Sequence, residues 1–106
     1  MKTIYKYQLP VAAKCTLHMP KGARLLCVAE QNDVWCLWAE VDTAQPSTPR
    51  NIIVFGTGHP IPDELVKWYI GTIHMRGFVW HVFEELPNDH GVRGRQSIPL
   101  PEEKHE

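Results

Sequence analysis

The sequence is short of most features that announce a chemistry. Its 106 residues hold only three cysteines, Cys15, Cys27 and Cys36, an odd number with no C-x-x-C spacing. A disulfide framework is therefore not expected, and a reducing, cytoplasmic setting is. No apolar run approaches the roughly 20 residues of a membrane span. Met1-Lys2-Thr3 leads into alternating residues, not an apolar signal core, so no secretion signal is expected. The formal net charge is −1, which gives no general electrostatic reason to hold nucleic acid or a membrane surface.

Catalytic and cofactor signatures are also missing. The six histidines, at positions 18, 59, 74, 81, 90 and 105, lack helical or C-x-x-C-like ligand spacing. His74 and His81 fall diagonally on one face of a hairpin, and His59 would have to join them to make a metal site. No metal and no cofactor are therefore expected. Neither G-x-x-x-x-G-K-[ST] nor G-x-G-x-x-G is present. Cys15 has no recognisable partner histidine, so it is not read as a nucleophile. Glu84 and Glu85 point to opposite faces of a strand and form no dyad. Glu30, Glu40, Asp42, Asp63 and Glu64 read with them as a solvated rim at strand ends. There is no internal repeat.

What is present is β-structure. The most apolar stretch runs from Trp68 to Phe83 around Arg76-Gly77. Two β-branched and aromatic runs about a Gly-containing turn make a hairpin. A two-residue loop sets Met75 opposite Phe78, Ile73 opposite Trp80 and Gly71 opposite Val82. Ile73, Met75, Phe78, Trp80 and Val82 then face the core, with Trp80 at its centre. Ile70, Thr72, His74, Val79, His81 and Phe83 form a mixed surface.

A second hairpin spans 24–42 around Asn32-Asp33, two residues that tolerate the left-handed region. Its register sets Ala29 opposite Cys36, Cys27 opposite Trp38, Glu30 opposite Trp35 and Val28 opposite Leu37. Residues 3–9 alternate and stop at Pro10, as an edge strand does. Residues 15–19 and 50–55 supply further strands, 43–49 a loop. Residues 62–67 are long enough for one or two helical turns.

The expected fold is mainly β: an antiparallel β-sandwich or partly open barrel of about six strands, with at most one short helix near 62–67. Residues 1–86 form a single β-rich domain. Apolar density collapses from Pro87, so 87–106 is expected to be a flexible polar tail that folding does not need. Ile98 and Leu100 are its only docking candidates.

The hairpin at 24–42 is apolar on both faces. Leu26, Val28, Trp35, Leu37 and Val41 fall on one, and Leu25, Cys27, Val34, Cys36 and Trp38 on the other. Trp35 and Trp38 cannot share a core, because the side-chain period is two. The surplus face needs a cover, and a second copy is the simplest source. A symmetric dimer through Cys27, Val34, Cys36 and Trp38 is therefore expected. The alternative cover is a helix at 60–67.

Gly56-Thr57-Gly58-His59 follows a strand. The glycines read first as positions of positive φ or close backbone approach. The second reading is a loop whose amides, with His59, face an anion. A groove between two copies would offer Trp38 for stacking, with Thr57, Gly58, His59, Arg76 and His81 as the other ligand-binding candidates.

Several stretches together carry a resemblance. They are Ile4-Tyr5-Lys6-Tyr7, Met19-Pro20-Lys21-Gly22-Ala23, Leu37-Trp38-Ala39-Glu40-Val41-Asp42, Gly56-Thr57-Gly58-His59-Pro60, Tyr69-Ile70-Gly71-Thr72 and Val79-Trp80-His81-Val82-Phe83-Glu84. Over roughly residues 3–86 the chain resembles a small family of proteins of unassigned function from bacteria and their phages. The resemblance transfers no catalytic or binding residue. It implies a phage or prophage context, in the host cytoplasm where phage-encoded. By analogy with small phage accessory proteins, the expected function is a non-enzymatic binding module, an anti-defence protein that sequesters a small anionic, nucleotide-like ligand or blocks a host protein. The alternatives are a phage structural or assembly subunit, and an enzyme using a histidine base.

Overall fold

Two tight turns set the frame. Asn32 and Asp33 have φ of 55° and 65°, and Arg76 and Gly77 have 55° and 83°. Two consecutive left-handed residues make the hairpin turn whose twist matches its strands. In the computed structural model, which describes residues 1–87, each turn joins two long strands.

Seven strands run in order: β1 Lys2–Leu9, β2 Lys14–Pro20, β3 Arg24–Gln31, β4 Val34–Asp42, β5 Ser47–Gly56, β6 Lys67–Met75 and β7 Phe78–Glu85. They form two antiparallel sheets, β1-β4-β3 and β2-β5-β7-β6, in a sandwich-like arrangement that does not close into a barrel.

The strand count exceeds the expected six, and β5 begins within the stretch read as loop. Ser47 to Arg50 pair only with β2, and pairing with β7 starts at Asn51. At Pro49 the strand therefore has no β7 neighbour to donate to, which is where a proline is tolerated. Residues 62–65 make a single turn, closed by the Leu65 amide on the Pro62 carbonyl at 3.2 Å, and no helix forms. The cover expected from a helix is absent.

Trp35, Leu37 and Val41 of β4 meet Met19, Ile52, Ile73 and Val82 of the other sheet in the core. Burying an aliphatic side chain of this size is worth about 1.5–3 kcal/mol. Both hairpin registers are as the sequence indicates near their turns, including Cys27 opposite Trp38 and Ile73 opposite Trp80.

Further along, each hairpin carries one bulge. The register shifts between Leu25 and Cys27 and again between Tyr69 and Gly71. A bulge inserts an unpaired residue and reverses the alternation beyond it. Leu25, not Leu26, therefore joins Val28 in the core, and Leu26 is exposed. Ile70 likewise packs on the core, and Tyr69 takes the outer face. The bulged strands β3 and β6 lie against each other as a seam between the sheets. A Cβ at Gly71 would stand 2.9 Å from Val28 Cγ2, so the seam closes this far only over a glycine.

Trp80 is half-buried at the margin of the core, tilted against Trp35 with ring centroids 5.6 Å apart. Phe78, at the hairpin tip, is exposed and packs on Trp80 at 5.9 Å. The fully enclosed ring is Trp35.

Glu84 is not part of a solvated rim. Its carboxylate is buried and held by Arg50, whose Nε and Nη2 both donate to it, while Nη1 donates to the Ala23 carbonyl at 2.9 Å. Glu85 is on the opposite face and meets Lys14 at 3.2 Å. The predicted tail and its docking candidates Ile98 and Leu100 lie outside the described residues.

Two stability outcomes follow from this packing. Trp35→Ala should cost about 3–5 kcal/mol in urea unfolding, and Trp80→Ala less, because its ring is only partly buried at the margin of the core. Glu84→Gln should cost about 3 kcal/mol, since it leaves the Arg50 charge without its counterion in a poorly solvated position. Equal midpoints for Glu84→Gln and wild type would show the pair to be dispensable.

Candidate functional site

The turn after β5 is built by two glycines with different tasks. Gly58 has φ of +90°, a conformation that side chains disfavour. Gly56 is buried, and a Cβ there would meet His59 Cε1 at 2.8 Å. The imidazole folds back over Gly56, whose amide donates to His59 Nδ1 at 3.2 Å. The His59 amide donates to the Gly56 carbonyl at 3.0 Å and that of Thr57 to the Val79 carbonyl at 3.4 Å. Three amides of the turn are thus engaged within the protein, not turned toward an anion. The His59 ring stands edge-on to Trp80, centroids 6.5 Å apart.

Thr57 reaches to the other side of the sheet. Its hydroxyl lies 2.8 Å from His81 Nε2, and Thr72 Oγ1 lies 3.3 Å from His81 Nδ1. Thr72 Oγ1 is bonded in turn to the Tyr69 hydroxyl. Both imidazole nitrogens are therefore engaged. A neutral imidazole donates from one nitrogen and accepts at the other, and hydroxyls serve either role. This fixes the ring as an oriented polar group.

Beside His81 on the same outer face is an aromatic cluster. Phe55 and Phe83 are 6.0 Å apart, Tyr69 and Phe83 5.4 Å, each pair edge to face. Lys67 Nζ stands 5.3 Å from the centre of the Phe83 ring. Strand alternation places Lys14, His18, Lys67, His74 and His81 on this face against the single acid Glu85. The face is thus more positive than the chain as a whole.

The sequence candidates are divided among three places. Thr57, Gly58, His59 and His81 gather around the turn after β5. His74 shares the outer face with His81, two pairs along the ladder. Arg76 lies at the β6–β7 turn and pairs with Asp33 of the other hairpin turn at 3.3 Å. Trp38 lies on the outer face of the other sheet with Cys27, Val34 and Cys36. That face is partly sealed by the chain itself: Lys6 donates to Gln31 at 2.8 Å across β4, and Cys36 beneath this bridge is only 3% exposed. No groove unites Trp38 with the other ligand candidates within one copy.

Phe55, Phe83, Tyr69, Thr72 and Lys67 were missed as site residues. The available signal was β7, which is apolar on both faces, with Val82 inward and Phe83 outward. Cys15 is half-buried, and burial pushes its thiol pKa up, which makes a poor nucleophile. Among the described residues no three His, Cys, Asp or Glu side chains cluster to hold a metal ion.

Gly56→Ala should drive the His59 ring from its seat. The expected result is loss of the Trp80 ring-current shift at His59 Hε1 by NMR and a cost of about 1–3 kcal/mol, with unchanged far-ultraviolet circular dichroism. An unmoved His59 resonance would refute this account of the glycine.

No curated protein and no solved structure matches the chain. A family profile does, over residues 1–91, most of the length and all seven strands. The chain belongs to the family described as Domain of unknown function (DUF7352).

Proposed function

We propose that this protein is a small binding module, not an enzyme, and that it takes an anionic, ring-bearing ligand of nucleotide type on the outer face of its four-stranded sheet. One observation carries the reading. Phe55, Phe83 and Tyr69 cluster on a sheet face directed away from the core, framed by Lys67, Lys14 and the oriented His81. Aromatic side chains on a sheet offer a stacking surface to a flat base, and the cations beside them complement a phosphate. With a net charge of −1, the chain has no overall field for a long phosphate backbone, which favours a free nucleotide over a polymer.

The engagement of both His81 nitrogens supports recognition over proton transfer, since a general base needs a nitrogen open to its substrate. The resemblance to bacterial and phage proteins supports the setting we propose: a phage or prophage accessory protein in the host cytoplasm that captures a nucleotide signal of host defence.

Calorimetric titration with AMP, GMP and a cyclic dinucleotide tests the reading. At least one should bind the wild type. Phe83→Ala should weaken it by about 1–3 kcal/mol, the range for one stacked base, and Lys67→Glu should weaken it further while both variants stay folded. Absence of heat and of amide shift changes for all three ligands at millimolar concentration would reject the proposal.

A further inference from the structure

Four strands stand at sheet edges: β1 and β3 in one sheet, β2 and β6 in the other. The edges of β3 and β6 are protected by each other, each kinked by a bulge, with Val28 packed onto Gly71. β2 turns Lys14, Thr16 and His18 to solvent, exposes no large apolar side chain and ends at Pro20. β1 differs from all three. It is eight residues long, without a bulge or an internal proline, and among the described residues it pairs with β4 alone. It exposes large side chains from both faces at its middle, Ile4 at 57% on the outer face and Tyr5 at 40% on the inner. A long, straight, partly apolar edge is a template for another strand.

We propose that this edge pairs with a second copy of itself. The two β1 strands run antiparallel about a two-fold axis at Tyr5, giving one continuous sheet ordered β3-β4-β1-β1-β4-β3. The choice of occupant rests on self-complementarity. Residues directly opposed in an antiparallel pair share a face, so the axis falls on a residue and not between two. An axis at Lys6 sets that lysine against its own copy, and an axis at Ile4 sets Lys2 against Lys6. Directly opposed like charges are destabilising. An axis at Tyr5 avoids both and pairs residues 2–8, against 5–9 for an axis at Tyr7 and 2–4 for one at Thr3. It opposes Ile4 with Lys6 of the partner subunit, a pair without like charges. It opposes Thr3 with Tyr7 and brings Tyr5 against its own copy. The lysines thus select a register. This contact takes the place of the Trp38 face, where the Lys6–Gln31 bridge already covers Cys36.

Light scattering on the eluting protein at high micromolar concentration should give about twice the 12.2 kDa chain mass. Ile4→Lys opposes like charges at two symmetric places on an exposed position, and it should give a folded monomer. Adding Lys6→Glu should restore the dimer by opposing unlike charges. In a Cys27→Ser background, Tyr5→Cys should form a covalent dimer on oxidation, and Thr3→Cys should not. A wild-type mass of one chain overturns the proposal. So does a dimer that survives Ile4→Lys and dissociates on Trp38→Glu, which would assign the contact to the Trp38 face.

Discussion

The close approach of β3 to β6 is the contact on which the other features depend. A three-stranded and a four-stranded sheet share a core only if they are held together along a side, and here the holding side is the seam of Val28 on Gly71. The absence of a side chain at position 71 sets the distance. The bulges at Leu26 and Ile70 then rotate the ends of both strands, so that Leu25 and Ile70 reach the core. The same rotation turns Tyr69 outward beside Phe83. Closing the core and assembling the aromatic face are therefore consequences of one geometry. No comparable seam joins β1 to β2, and among the described residues β1 stays an open edge.

Both outer faces carry apolar groups, and both are sheltered in the same way. Lys6 crosses β4 to Gln31 above Cys36, and Lys14 crosses β5 to Glu85 beside Ile53, which is only 6% exposed. The ion pair is solvent-exposed, so its charge contributes little stability. Its larger effect is that of the lysine stem, which covers apolar surface while the head stays wet. A sheet apolar on both sides thus needs no second layer over its whole area. This leaves Phe55, Phe83 and His81 as an aromatic and polar cluster on the outer face of the four-stranded sheet.

Among the described residues the interior has one charged pair. Arg50 and Glu84 face inward because strand alternation puts them there, and bidentate geometry with the Ala23 carbonyl satisfies their buried hydrogen-bonding groups. Such a pair fixes relative position more than it adds stability. It ties β5 to β7 and to the residue that precedes β3, linking the two sheets at the end away from the hairpin turns.

Local chemistry made much of the fold legible. Asn32-Asp33 and Arg76-Gly77 determined two turns, and the turns determined the pairings next to them, because a two-residue loop leaves no freedom of register. The glycines of Gly56-Thr57-Gly58-His59 were readable as positions of positive φ or close approach, and the structure divides the two roles between Gly58 and Gly56. The apolar surplus of the 24–42 hairpin was likewise visible. Other features waited on tertiary structure. Bulges are set by contacts between strands distant in sequence, so Leu25 and Leu26, and Tyr69 and Ile70, exchanged faces beyond the reach of a period-two pattern. The pairing of β5 with β7 is non-local, and it alone brings Thr57 to His81 and Phe55 to Phe83. Arg50 and Glu84 lie far apart in the chain, and nothing in their neighbours marks Glu84 as buried. The sequence by itself determined the class of fold, its hairpins and its turn residues, all of which depend on neighbours along the chain. Which side chains share a surface depends on how strands distant in the chain meet, and that only the pairing of β5 with β7 and the packing of β3 on β6 decided.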